Sequence, residues 1–419
     1  MISWPLLIAS TTPSAWADNL PVIMIFRFLS GCMSACPLNK HHIRSVFIHP
    51  RKLGKAIGYY SFTPLSGPIL GSTLGPFIAA HLTHGLWVIR VHWIMVIVFW
   101  PLVFFLPETY GPTILTRRAK ELRKQGEKNT FAAHELEAAS KIALFKSHIG
   151  RPITMLLIEP IIIGAAIWVS LAYSIIYFFF EAYPVVFVDQ NNFEFQLAGL
   201  PFLAIYLGMF ICVISTDILT QKSRHVEIPF VDPPHTGTPS QAPEAGLKVV
   251  LIACFLMPIS MFWFAWTSKG NIHWISPTLA GIPFGYSMLS IFYAFSAYST
   301  RNFGIYSSSA SASNTLARSI IASIFPILAH PILEKLGTDW GVSLFGFLSL
   351  GLIPIPILFV RYGPALRKRS RFIRESMRIE VEMRHRKEEE KLDRIEAHKL
   401  REGKDNDENA VISVESPQA

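Results

Sequence analysis

What most constrains this chain is a series of apolar runs, each about as long as a bilayer is thick, that carry almost no charge. A helix rises 1.5 Å per residue, so a hydrocarbon core of about 30 Å is crossed by roughly 20 apolar residues. Residues 160–180, 249–268 and 271–300 contain no Asp, Glu, Lys or Arg. Counting such runs predicts about nine full spans, at roughly 20–38, 57–81, 87–106, 152–180, 195–218, 248–267, 274–297, 306–331 and 340–361. The 419 residues are 51% hydrophobic and 16% charged, against about 25% charge in a soluble domain. The expected fold class is an all-α membrane protein crossing the bilayer many times, with lipid as its first partner.

The net charge of +9 raises nucleic acid as a partner, and the placement of the basic residues argues against it. Lys40, Arg44, Arg51, Lys52 and Lys55 lie between the first two spans. Arg117, Arg118, Lys120, Arg123, Lys124 and Lys128 follow the third, Lys222 and Arg224 the fifth, and Arg301 the seventh. Arg361, Arg367, Lys368, Arg369, Arg371 and Arg374 open the C-terminal tail. These connections alternate to one side, and the other side holds little beyond Lys269 and Lys335. The positive-inside rule then puts the basic loops and the C-terminus in the cytoplasm and residue 19 outside.

The spans fall into a group of three, a hydrophilic connection and a group of six. The expected organisation is 1–106, a cytoplasmic linker 107–151, a six-helix half 152–361 and a charged cytoplasmic tail 362–419. In the linker, Glu135, Glu137 and Lys141 allow one-turn pairs on a helix over 129–148. Residues 225–247, with Pro229, Pro233, Pro234, Pro239 and Pro243, read as a flexible connection. Residues 366–404 read as a solvated charged helix whose basic start attracts anionic lipid, at about 1 kcal/mol per charge. Residues 1–17 read in two ways: a signal peptide ending in Ala15-Trp16-Ala17, or the last part of a membrane helix.

Cys32, Cys36, Cys212 and Cys254 all fall in apolar stretches, without metal-ligand spacing or a disulfide framework. The sequence has no phosphate loop, zinc spacing or nucleophile elbow, so neither an enzyme nor a cofactor is expected. Without an ATP motif, uphill transport would draw on an ion gradient or a partner.

Five stretches carry a resemblance. They are Arg27-Phe28-Leu29-Ser30-Gly31; Gly67-Pro68-Ile69-Leu70-Gly71-Ser72-Thr73-Leu74-Gly75-Pro76; and Leu106-Pro107-Glu108-Thr109-Tyr110. Next come Arg151-Pro152 with Ile158-Glu159-Pro160, closing at Phe180-Glu181-Ala182-Tyr183-Pro184, and then Ser311-Ala312-Ser313-Asn314-Thr315-Leu316-Ala317-Arg318-Ser319. In this order the chain, from about Pro21 to Arg369, resembles the fungal drug:proton antiporters of the major facilitator superfamily, especially the polyamine-transporter-like branch. The resemblance implies a major-facilitator fold of two six-span halves, the first incomplete by about two and a half spans at its front. It implies proton-coupled efflux of organic cations, drugs or polyamines by alternating access. The plasma membrane is the expected location, with the vacuolar membrane as the alternative. The rival reading is a truncated, non-transporting remnant with a structural or regulatory role.

The same residues can be read as physics. Arg27 lies within an apolar span, where a charge costs at least about 2.5–3.5 kcal/mol; it is a pathway charge or a snorkelling, structurally paired one. Glu159 precedes Pro160, which loosens the helix; it is a proton carrier or an interfacial acid. Glu181 follows Tyr177, Phe178, Phe179 and Phe180, and could hold a cationic substrate with help from the rings, or belong to an interfacial belt. Asn314 and Arg318 are one turn apart in a run of small residues that permits close helix contact; Arg318 is a pathway residue or half of an ion pair. Gly67, Gly71 and Gly75 share one face while Pro68 and Pro76 break the local backbone ladder, read as a packing stripe, a hinge or both. Pro277, Pro283, Gly281 and Gly285 make 274–297 a bendable helix.

Overall fold

The computed structural model describes residues 3–38, 50–82, 85–105, 111–125, 141–223 and 246–383, with 385, 388, 389 and 392 beyond them. Among these residues the chain is helical throughout, without a strand. The helices are α1 (Ser3–Trp16), α2 (Leu20–Leu38), α3 (Pro50–His81), α4 (Trp87–Phe104), α5 (Gly111–Lys124), α6 (Lys141–Ile158) and α7 (Pro160–Pro184). They continue with α8 (Phe202–Ser223), α9 (Lys248–Thr267), α10 (Ile275–Phe303), α11 (Ser307–Leu352) and α12 (Pro354–Arg369). The apolar runs decide these elements: α2 and α9 coincide with the expected spans 20–38 and 248–267. Residues 129–140 of the expected linker helix, 225–245 of the expected flexible connection, the Leu106–Tyr110 motif and the tail from 393 lie outside the described residues.

Breaks fall where backbone chemistry requires them. Pro160 lacks an N–H, and Glu159 before it turns extended at φ −89°, ψ 108°, so the expected span 152–180 is two helices, α6 and α7. The helical run Ile275–Arg369 covers 95 residues, far more than one crossing. It turns at Gly304 (φ +46°) and Gly337 (φ +71°), conformations open to glycine. Across the second turn Phe325 and Phe345 meet with ring centroids 5.5 Å apart.

The core lies among α7, α8, α9, α10 and α11. Tyr183 is its aromatic centre, fully buried, stacked on Phe202 at 4.3 Å and on Phe264 at 5.3 Å. Phe179 adds contacts to Phe264 and Phe284, both at 5.0 Å. Helices α8 and α10 cross at backbone distance. A Cβ on Gly208 would lie 2.0 Å from the Ile282 carbonyl oxygen, and one on Gly285 would lie 2.0 Å from that of Ile205. Gly285, read from sequence as part of a bend, is thus a packing glycine.

Among the first helices, α1 packs against both α2 and α4. Residues 3–16 form α1, and Trp93 Nε1 donates to Thr12 Oγ1 at 2.9 Å, Trp4 Nε1 to the Val96 carbonyl at 3.3 Å, and Arg90 Nε to the Ala15 carbonyl at 3.1 Å. Helix α3 reaches across to the later helices, with Phe62 against Tyr206 at 5.4 Å. A short 3-10 turn, Phe195–Gly199, also meets α3. A Cβ on Gly199 would be 2.5 Å from the Ser72 oxygen and 2.6 Å from that of Thr73.

Candidate functional site

A recess opens where α7, α10 and α11 meet. Its lining is Val169 from α7, Phe292, Ser296 and Ser299 from α10, and Ser311, Asn314, Thr315 and Arg318 from α11. It holds about 340 Å³ of empty space, its open mouth included. The run of serines and alanines at the start of α11 is what lets the helices come this close. Ser313, fully buried, donates to the Pro152 carbonyl at 2.7 Å and shares its hydroxyl with the Ser309 carbonyl at 2.9 Å, fixing α11 against α6.

Arg318 dominates the recess. It is 7% exposed, with its guanidinium carbon 4.4 Å from the Tyr173 ring centre and 5.0 Å from that of Phe292. Among the described residues, its Nη1 has no hydrogen-bond partner, nor have Asn314 Oδ1 and Ser299 Oγ. Tyr60 of α3 lies within electrostatic reach of both Arg318 and Tyr173. From the recess an aromatic wall runs along α7, through Tyr173 and Tyr177 at 6.0 Å, Tyr177 and Phe180 at 5.5 Å, and Phe180 and Phe202 at 5.6 Å.

Of the residues singled out from sequence, the structure brings Asn314 and Arg318 together and places the others elsewhere. Glu159 is 1% exposed. By helical rise it sits roughly 21 Å from Tyr173 along α7. Its Oε1 accepts a long hydrogen bond, 3.4 Å, from the Phe372 N–H, and its Oε2 has no partner among the described residues. Ser370 Oγ accepts from the Ile373 N–H at 3.1 Å. The two side chains together cap the helix over 371–383, which also rests on the α10–α11 turn through Phe372 and Tyr306, 5.6 Å apart. Glu181, roughly 12 Å from Tyr173 toward the other end, is exposed.

Arg27 is exposed on α2, close enough to His92 of α4 for its charge to be felt there. Gly67, Gly71 and Gly75 would meet nothing within 4 Å if each gained a Cβ. The buried face of α3 is Ser61, Leu65, Ile69 and Thr73 instead. Pro68 and Pro76 lie inside α3 without ending it. Sequence reasoning missed Tyr173, Phe292 and Ser299. They stand far from Arg318 in the chain, and the only local signal was the one-turn spacing of Tyr173 and Tyr177.

The sequence model of the Major Facilitator Superfamily matches residues 1–326. The chain belongs to that superfamily. It is 35% identical over 378 residues to the citrinin biosynthesis cluster MFS transporter of Monascus ruber, covering 88% of this chain and 74% of that one. To the major facilitator superfamily multidrug transporter mdrA of Aspergillus fumigatus it is 32% identical over 392 residues, covering 90% of this chain and 61% of that one. The proton:xylose symporter XylE shares the fold, with a TM-score of 0.52, 16% identity, and coverage of 86% of this chain and 79% of that one. The protein is therefore an all-α major-facilitator transporter and not an enzyme, and its relatives include multidrug transporters. The expected resemblance to fungal drug transporters of this superfamily holds.

Proposed function

We propose that this transporter exports drug-sized organic molecules by alternating access, driven by protons. The supporting observation is the recess at α7, α10 and α11, where a buried side-chain charge and unpartnered polar atoms open onto an aromatic wall. Such a mixture of ring faces with few polar groups suits amphiphilic molecules of varied shape. The class implied by the sequence resemblance is organic cations, drugs or polyamines, and for a cationic group the proposed acid is Glu181, next to Phe180 in the chain. The basic ends of the helices put the C-terminus in the cytoplasm, and the plasma membrane is the proposed location.

Glu159 and Glu181 are the proposed proton carriers. Glu159 is the buried one, with one oxygen on the N-terminus of the tail helix. The charged carboxylate favours that contact, and proton uptake weakens it. Proton occupancy and tail docking are thereby coupled. Transport by relatives that match most of this chain favours export over a structural or regulatory remnant.

The test is accumulation of a fluorescent aromatic dye in everted vesicles under an imposed pH gradient. Accumulation should collapse when a protonophore dissipates the gradient. Glu159→Gln and Glu181→Gln should each lower gradient-driven accumulation while the protein remains in the membrane. Dye movement indifferent to the gradient, or unchanged in both variants, rejects proton coupling.

A further inference from the structure

Arg318 is a permanent charge held where little water reaches. At membrane depth such a charge needs a partner or a cavity. Tyr173 and Phe292 cover its faces, a contact worth about 0.5–2 kcal/mol, yet ring faces do not satisfy the N–H groups at the edge of the guanidinium. Among the described residues, no Asp or Glu lines the recess. Asn314 Oδ1 and Ser299 Oγ are left without partners in the same place. Three polar groups that no described residue satisfies face one small space.

The ligand that matches them brings acceptor oxygens in a plane. A carboxylate accepts two parallel N–H bonds from a guanidinium. The Ser299 hydroxyl can donate to it, and so can the Asn314 amide when turned over, since the two amide atoms are interchangeable in shape. We propose that the recess is a carboxylate subsite: Arg318 binds the carboxylate of an aromatic organic acid, and the ring lies along Tyr173 and Phe292. The acid group enters the recess and the ring extends through its open mouth. A larger substrate continues along Tyr177 and Phe180. An ammonium group is repelled here, so cations bind, if anywhere on this wall, nearer Glu181. Only the onward fate of the bound acid rests on the transport reading; the binding does not.

The experiment is equilibrium binding to the purified full chain in lipid nanodiscs at neutral pH, using 2-naphthoate, neutral 2-naphthamide and cationic 2-naphthylmethylammonium. Naphthoate should bind at least about tenfold tighter than naphthamide, the size expected for hydrogen bonds to a charged group. The ammonium should bind more weakly than both. Arg318→Gln should erase the advantage of naphthoate over naphthamide. Arg318→Lys should restore part of it, having charge without the two-pronged geometry.

Equal affinity for acid and amide in the native protein, tighter binding of the ammonium, no binding of any probe, or a preference that survives Arg318→Gln each overturns the subsite. The native comparison stands even where a variant fails to fold. The transport reading fails separately: naphthoate bound as expected, but dye movement in vesicles blind to the pH gradient, sinks proton coupling and leaves the subsite standing. Gradient-driven efflux of cations without naphthoate binding does the reverse.

Discussion

Pro354 and Pro356 determine where the last carbonyls of α11 find partners. Each removes the N–H that would have bonded four residues back. The Leu350 carbonyl is met instead by the Ile353 N–H at 3.2 Å. The Leu352 carbonyl is met by the indole of Trp168, fully buried on α7, at 2.8 Å. One side chain thus replaces a backbone donor lost to proline and ties α7 to the end of α11. Trp168→Phe should lower stability by about 1 kcal/mol, the usual worth of a helix-to-helix hydrogen bond in a membrane protein. Pro356→Ala returns a backbone N–H to the same oxygen, so W168F/P356A should recover most of that loss. Thermal midpoints of the four proteins in detergent give the coupling. Additive losses would mean that the indole contributes through packing alone. Proline positions and their missing donors were legible in the sequence. The identity of the rescuing donor was not, because it comes from a distant helix.

At the scale of helices, glycine spacing and glycine contact turn out to be different things. Gly67, Gly71 and Gly75 form a regular stripe, but nothing lies within 4 Å of it. Gly208 stands alone in α8, and Gly281 and Gly285 are four residues apart as in the stripe, yet Gly208 and Gly285 each face a carbonyl at a distance no Cβ tolerates. A stripe read along one helix says which residues share a face; it does not say which face a neighbour takes. Gly208→Val should therefore separate α8 from α10 and cost about 3 kcal/mol or prevent folding, at the upper end of overpacking losses. Gly71→Ala should leave the thermal midpoint unchanged. If the stripe is a hinge, the same Gly71→Ala will slow transport at unchanged stability, a separation that a packing role would not produce. The apolar helices themselves were legible because bilayer length and uncharged runs specify them. Arg318 was legible as a buried charge, but its ring partners were not, since Tyr173 and Phe292 reach it only once α7, α10 and α11 have packed.

In the whole molecule, the contact between α3 and the 3-10 turn at Phe195–Gly199 joins the earlier helices to the later ones. Gly199 presses on Ser72 and Thr73 through backbone alone, and Ser72 is the residue whose carbonyl loses its helical donor to Pro76. Nearby, Leu65 and Ile69 of α3 are buried at 2% and 0% exposure. Alternating access requires such contacts between the two parts of a carrier to open and close as units. Gly199→Val puts a branched side chain where even a Cβ would collide, so it should shift the molecule toward the form in which α3 has left the turn. Thiol labelling of Ile69→Cys reads this directly, with Cys32, Cys36, Cys212 and Cys254 replaced by alanine. Labelling should rise several-fold in the Gly199→Val background, and thermal stability should fall less than for Gly208→Val, because a contact that opens during transport can be lost without unfolding the core around Tyr183. Unchanged labelling with a large loss of stability would instead make the Gly199 contact part of the rigid core, and the moving boundary would then lie elsewhere along α3.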